Sequence, residues 1–265
     1  MIPKIIHYCW FGGKPLPPLA ERCIASWKKW LPDYEIRCWN ESNFDVNSIE
    51  YTRQAYARGK YAFVSDYARF WILYNYGGVY FDVDVEVVAS FDDIVSHGPF
   101  IGVESDSTTA NGIVTGADLP LKCNPGLAMG ADKNMPFYAE MLRRYSKLSF
   151  LYPSGAINTT TVVSHTSGAL LDAGFNPALG IETPEHAFQA VGGITIYPKR
   201  FFCPSINEGE IEILPDTRSI HHYAASWVTP SMCLKGKISS ILSYCVPESF
   251  YAFIRKAYRL ILQKK

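Results

Sequence analysis

Residues 75–88 read NYGGVYFDVDVEVV, and they place Asp82, Asp84 and Glu86 at alternate positions inside an otherwise apolar run. Val79, Phe81, Val83, Val85 and Val87 repeat with period two, which predicts a β-strand over 79–88. In such a strand Tyr80, Asp82, Asp84 and Glu86 share the opposite face. A row of carboxylates beside a core strand is costly unless something positive meets it. Two carboxylates in an Asp-x-Asp, where a strand runs out toward solvent, suit a hard divalent cation such as Mg2+ or Mn2+. The cation's remaining positions commonly go to phosphate oxygens. The expected partner of the acidic run is therefore a metal ion carrying a diphosphate, acting as a Lewis acid on a departing nucleoside diphosphate. An Asp-x-Asp alone is weak evidence, because a solvated strand face explains most occurrences.

The helix before this run, SDYARFWILYNYGG, is expected to start at Ser65 as N-cap and to stop at Gly77 or Gly78. That start would put Asp66 and Arg69 one turn apart on its exposed N-terminal end, an arrangement an ordinary surface ion pair also explains. Upstream, KIIHYCWFGG reads as a buried first strand, LAERCIASWKKWLP as an amphipathic helix stopped by Pro32, and YEIRCWN as a second strand. Strand, helix and strand in this order open a parallel nucleotide-binding α/β sheet. Downstream, strands are expected near 100–104, 124–130, 194–197 and 219–223, and helices over MPFYAEMLRRYSKL and near 160–173. No internal repeat or low-complexity linker interrupts the pattern.

The chain has 265 residues, 48% of them hydrophobic, enough for one large α/β domain. Lys and Arg number 25, balancing 25 Asp and Glu, so net charge gives no reason to expect a nucleic-acid partner. The seven cysteines are scattered and form no Cys-x-x-Cys, which argues against a zinc knuckle or redox pair. With no recognisable signal peptide, a cytoplasmic location is expected. No run approaches the roughly 18 apolar residues of a membrane span. From Lys235 to Lys265 the composition changes to seven Lys/Arg against one acid, Glu248. On a helical wheel Phe250, Phe253, Ile254, Ala257 and Ile261 oppose Arg255, Lys256 and Arg259. The division expected is a catalytic domain over 1–234 and a basic amphipathic helical tail over 235–265. Peripheral contact with an anionic membrane is expected of such a tail, its alternative being packing on the domain.

The string SDYARFWILYNYGGVYFDVDVE, together with IPKIIHYCWFGG and the late SIHHYAASW, resembles the Asp-x-Asp sugar transferases of glycosyltransferase family 32. That family includes yeast initiating α-1,6-mannosyltransferases and α-1,4-galactosyltransferases. The resemblance implies a GT-A type α/β sandwich with a mainly parallel central sheet. It also implies a retaining, Mn2+- or Mg2+-dependent transfer of a hexose from a nucleotide-diphosphate sugar, UDP-sugar favoured.

Carried over residue by residue, Trp10 matches the ring that stacks on the nucleotide base. Asp66 and Arg69 match the pair holding donor hydroxyls and phosphates, and Tyr80 an aromatic beside the diphosphate. Asp82 matches the first carboxylate, reaching ribose and metal, and Asp84 the direct metal ligand; Glu86 is read as structural. His221 is the better match for a late metal ligand, with His222 on the other face of the strand, so only one of them should bind. Ser226 and Trp227 match the segment closing over the diphosphate. Asn124, in NPGLAMG, resembles an amide that reaches the transferred sugar, and a turn-forming Asn before Pro125 accounts for it equally.

The expected acceptor is a glycan or lipid-linked glycan, in bacterial capsular or cell-surface polysaccharide synthesis at the inner face of the plasma membrane. Acceptor and sugar specificity would lie in 105–123 and the loops of 150–215. One alternative is a sugar-nucleotide or glycan-binding protein without turnover. A haloacid-dehalogenase-type phosphatase is disfavoured, because its motif needs Thr or Val where Glu86 stands.

Overall fold

The apolar run IIHYC forms β1 (Ile5–Cys9), α1 spans Pro18–Trp30, and β2 (Glu35–Trp39) lies parallel to β1 with Ile5 opposite Glu35. α1 opens on Pro18, whose missing N–H is no loss in a first turn, and closes at Leu31 before Pro32. It buries Ala20, Cys23 and Trp27, three and four residues apart, on one face. The computed structural model describes residues 1–106, 121–176, 189–204, 206–207 and 210–224.

A helix that the sequence pattern did not disclose, α2 (Glu50–Ala57), precedes α3 (Tyr61–Tyr76). α3 starts five residues earlier than expected, with Lys60 and not Ser65 at its N-cap. Ser65 is no N-cap; its hydroxyl donates back to the Tyr61 carbonyl inside the helix. The buried positions Val64, Tyr67, Ala68 and Phe70 show why: the apolar face already runs through the first turn. Asp66 and Arg69 therefore sit within the helix, 8% and 3% exposed, and not on an exposed end. α3 stops where expected, at Gly77, whose φ of 66° suits glycine. At Gly78 a Cβ would lie 2.6 Å from the Ile5 carbonyl, so the chain turns into β3 (Gly78–Tyr80) only with glycine there.

The strand expected over 79–88 is broken. β3 ends at Tyr80; Phe81 N still donates to His7 O of β1 at 3.1 Å, and the chain then leaves the sheet in a turn that Val85 N closes by donating to Asp82 O at 3.1 Å. β4 (Val85–Val87) then joins a different ladder. The alternation continues across the break because Val79, Phe81, Val85 and Val87 are all buried, so burial kept a period that the backbone hydrogen bonds did not.

α4 (Asp92–Ser96) leads to β5 (Phe100–Asp106), β6 (Leu121–Cys123) and β7 (Met129–Ala131). The strand expected over 124–130 is thus mostly turn, with only its end in the sheet. The helices α5 (Pro136–Tyr145) and α6 (Val162–Asp172) follow. After them come β8 (Gln189–Val191), β9 (Ile194–Tyr197), α7 (Lys199–Phe202), β10 (Ile206–Asn207), β11 (Glu210–Ile211) and β12 (Ser219–His221).

The main sheet has the order β2-β1-β3-β7-β5-β9-β8, with β6 beside β5. β7 and β8 are antiparallel to their neighbours, and the other five strands of that path run one way. This mixed, mostly parallel α/β sheet is the arrangement the resemblance implies. One face packs α3, α5 and α6 against Tyr80, Ile101 and Met129; the other packs α1 and α7 against Val79, Phe81 and Phe100. Ser226, Trp227 and the tail 235–265 lie outside the described residues, as does most of 105–123. Among the described residues no helix is long and apolar enough to cross a membrane.

Candidate functional site

Where β3 gives way to the turn, Asp82 is held from two sides. Its backbone N–H donates to the Gly126 carbonyl at 3.0 Å, and the Tyr80 hydroxyl donates to its Oδ1 at 3.2 Å. Arg69, reaching over from α3, lies 3.3 Å (Nη2) from Oδ1 and 3.5 Å (Nη1) from Oδ2 of the same carboxylate. The same guanidinium donates to Asp66 Oδ1 at 3.0 Å and through Nε to Ser65 O at 3.1 Å, and it lies over the Tyr80 ring at 4.9 Å. Asp66 and Arg69 are therefore not an ordinary surface ion pair: they belong to a buried network that reaches the acidic turn.

Burial sets its electrostatics. Burial alone would lower the pKa of Arg69, but its acidic neighbours, Asp82 first and Asp66 after it, outweigh it and hold the guanidinium charged. The Asp66 carboxyl is pushed up to about 7 by burial, with Arg69 pulling it back and Asp82 adding to the rise. Burial also drives the Tyr80 hydroxyl well above the ordinary phenol range, so it stays a donor.

Asp84 closes the other side of the turn. Ala224 N donates to its Oδ2 at 2.8 Å, and His222 N donates to its carbonyl at 3.0 Å. His221 Nε2 lies 3.4 Å from its Oδ1. One ligand atom each from Asp82, Asp84 and His221 fall within 4.8 Å of one another. Two carboxylate oxygens and an imidazole nitrogen, half-buried at a turn, form a donor set that fits Mn2+ or Mg2+ and leaves further positions open. His222 does not join them; its Nε2 lies 2.8 Å from Glu86 Oε2 on the other face.

Asn124 is buried beside the turn, with both ends of its amide in use. Its Oδ1 accepts from Gly126 N at 2.7 Å and its Nδ2 donates to Glu104 Oε2 at 2.5 Å. It acts here as a turn-former, and that turn supports Asp82. Trp10 follows β1 directly and is half-buried, its indole N–H donating to the Lys14 carbonyl at 2.6 Å.

Three site neighbours escaped the sequence reading. Glu104 follows the apolar run FIGV within β5, an acid at the edge of a core strand. Gly126 lies so near the turn that a Cβ would stand 2.0 Å from Asp82 Oδ2. Tyr223 has a φ of 47°, rare for a side chain of its size, and its ring stands edge-on to His221 with centroids 4.2 Å apart. No sequence signal marks those last two roles, because close approach and backbone sign are tertiary facts.

Residues 17–101 match the family model described as the glycosyltransferase sugar-binding region containing a DXD motif. The match covers about a third of the chain and contains its Asp-x-Asp. Asp66, Arg69, Tyr80, Asp82 and Asp84 lie inside the matched residues, while Trp10, Asn124 and His221 lie outside them.

The chain is 27% identical over 158 residues to inositol phosphoceramide mannosyltransferase 3 of Schizosaccharomyces pombe, covering 57% of this chain and 39% of that protein. It thus spans about two fifths of that relative's length. Among solved structures, PaToxG glycosyltransferase aligns with a TM-score of 0.44 at 20% identity, over 64% of this chain and 69% of that one. The galactosyltransferase LgtC aligns with a TM-score of 0.43 at 14% identity, over 94% of this chain and 99% of that one.

Proposed function

We propose that the DXD region works as a metal-dependent retaining glycosyltransferase. It would move a hexose from a nucleotide-diphosphate sugar, UDP-sugar favoured, to a glycan acceptor. The observation that carries this reading is the meeting of Asp82, Asp84 and His221 at one turn, with Arg69 and Asp66 braced against Asp82. Asp82, Asp84 and His221 would hold the metal. When bound, Mn2+ or Mg2+ supplies Lewis-acid stabilisation of the departing diphosphate.

The chain's own residues do the positioning. Arg69 and Tyr80 fix the angle of the Asp82 carboxylate, and the Asn124–Gly126 turn holds the Asp82 backbone. Asp66 and Arg69 would take donor hydroxyls and phosphate oxygens, a task for which a planar guanidinium is well suited. Trp10 would stack on the base. Ser226 and Trp227, which lie outside the described residues, would close over the diphosphate. Asn124, already spent on its turn, would reach the sugar only through its second amide hydrogen.

The test is a screen of nucleotide sugars for Mn2+-dependent donor hydrolysis. GDP-mannose belongs beside the UDP-hexoses, because a curated relative is named a mannosyltransferase. Asp84→Ala should abolish metal-dependent turnover while leaving the fold intact. Near wild-type hydrolysis by that variant would show that the metal reading is wrong.

A glycan on a lipid carrier, extended at the inner face of a plasma membrane in capsular or cell-surface polysaccharide synthesis, is the acceptor this reading favours. The basic amphipathic composition of 235–265 supports it, since each Lys or Arg near an acidic leaflet contributes about 1 kcal/mol. Full-length protein should co-sediment with acidic vesicles, and a chain ending at residue 234 should not. Binding that survives the truncation would remove the tail from the account.

A further inference from the structure

The ladder of β4 and β12 has three residue pairs: Ser219 opposite Val87, Ile220 opposite Glu86, and His221 opposite Val85. In a ladder this short few backbone bonds fix the register, and a slip of one residue turns every side chain to the other face. β4 is fixed independently of its partner. Trp27 Nε1 in α1 donates to Val85 O at 2.7 Å, and Val87 N donates to Ser26 Oγ at 2.9 Å. β12 is therefore the strand whose register has to be chosen. Its entry is tied by Arg218, whose N donates to Phe201 O and whose carbonyl accepts from Val88 N. Its exit, where His221 meets the acidic turn, is tied at His222, whose N donates to Asp84 O at 3.0 Å and whose Nε2 meets Glu86 Oε2 at 2.8 Å.

Adjacent histidines make this choice consequential, because a one-residue slip would present a different residue at the same place. With Glu86 opposite Ile220, His222 is its diagonal neighbour two residues on, and the 2.8 Å contact between them exists only in this register. Slipped one way, Tyr223 would come to Glu86 and His222 would stand opposite Val85. Slipped the other way, His221 would come to Glu86, away from Asp84, and Ile220 would stand opposite Val85.

We propose that Glu86 and His222 are positioning residues: their contact pins β12 in the register that turns His221, and not His222, toward Asp82 and Asp84. This rests on the reading of Asp82, Asp84 and His221 as a metal site. Residues that orient metal ligands typically contribute 10- to 100-fold in affinity without touching the ion.

The experiment is Mn2+ titration calorimetry on the full chain, with the melting temperature recorded beside it. Glu86→Ala and His222→Ala should each weaken Mn2+ binding about 10-fold or more, with small changes in melting temperature. Glu86→Gln, which keeps a hydrogen-bonding partner for the imidazole, should stay close to wild type. So should the exchange of Glu86→His with His222→Glu. Glu86→Ala is the decisive variant, because a site that used His222 as ligand would lose nothing when Glu86 releases it.

Wild-type affinity in Glu86→Ala overturns the inference. Should either alanine variant unfold, the exchanged pair decides: wild-type affinity supports the inference, and a folded protein with weakened binding overturns it. A wild-type chain that binds no Mn2+ sinks the metal reading and this inference together. Binding that the variants leave unchanged sinks this inference alone.

Discussion

Arg69 makes four contacts with protein oxygens, to Ser65 O, Asp66 Oδ1 and both oxygens of Asp82, from a position only 3% exposed. Its worth is therefore not that of a surface pair, roughly 0–1 kcal/mol. Removing one member of a buried charge network leaves the others uncompensated, at a cost of about 3–5 kcal/mol. Arg69→Ala should lower stability by that order in urea denaturation. Arg69→Lys keeps the charge but cannot span Ser65, Asp66 and Asp82 at once, so it should lose stability as well as nucleotide-sugar affinity. A lysine variant as stable and as active as wild type would show that the fork has no role. The pairing of Asp66 with Arg69 was legible as a spacing of three residues; its burial was not, because the helix start had to be known first.

At the scale of elements, the site is two turns pressed together. The turn Phe81–Asp84 and the turn Asn124–Gly126 meet through Asp82 N and Gly126 O at 3.0 Å, with no room for a methyl group between Gly126 and the Asp82 carboxylate. Gly126→Ala must push that carboxylate away from Arg69 and Tyr80. It should weaken Mn2+ binding in calorimetry, while far-UV circular dichroism stays unchanged. Unaltered Mn2+ affinity would mean that the carboxylate's placement does not matter.

Elements with a strong apolar period were legible: β1, α1, β2, α5, α6 and the glycine stop of α3 fall where residue spacing predicted. The acidic run misled, because Phe81, Val85 and Val87 stay buried while their backbone changes from the main sheet to the ladder with β12. Periodicity reports burial, and hydrogen-bond partners are a separate question. α2 was missed for a related reason: its helix-wide apolar face is only Tyr51, Thr52 and Ala55, and one of those is polar.

Over the whole molecule, two buried titratable groups act on stability with opposite signs. His7 lies in β1 between its neighbours: Trp39 Nε1 in β2 donates to its Nδ1 at 3.0 Å, and its Nε2 lies 2.9 Å from the Gly77 carbonyl beside β3. With Nδ1 accepting, Nε2 carries the proton and donates, so the ring is bound as the neutral form. Burial accordingly lowers its pKa from 6.5 to about 4. The unfolded chain takes up this proton first, so the contribution of His7 is whole above pH 6.5 and is lost as pH falls toward 4. A shift of that size amounts to about 3 kcal/mol.

Asp66 runs the other way. Burial raises its carboxyl from 3.8 to about 7, so its contribution is whole below pH 3.8 and is lost as pH rises toward 7. Across pH 4 to 6.5 each slope is about 1.4 kcal/mol per pH unit, and the two oppose each other. Wild-type stability should therefore change little over this window on their account. His7→Gln leaves the Asp66 slope uncovered, and its stability should fall relative to wild type as pH rises from 4.5 to 6.5. Asp66→Asn leaves the His7 slope, and its stability should rise relative to wild type over the same range. Urea denaturation at several pH values reads both slopes directly. Parallel curves for wild type and the two variants would mean that neither group is held in the folded chain as its burial requires. Slopes of equal sign would mean that one of the two shifts has the wrong direction.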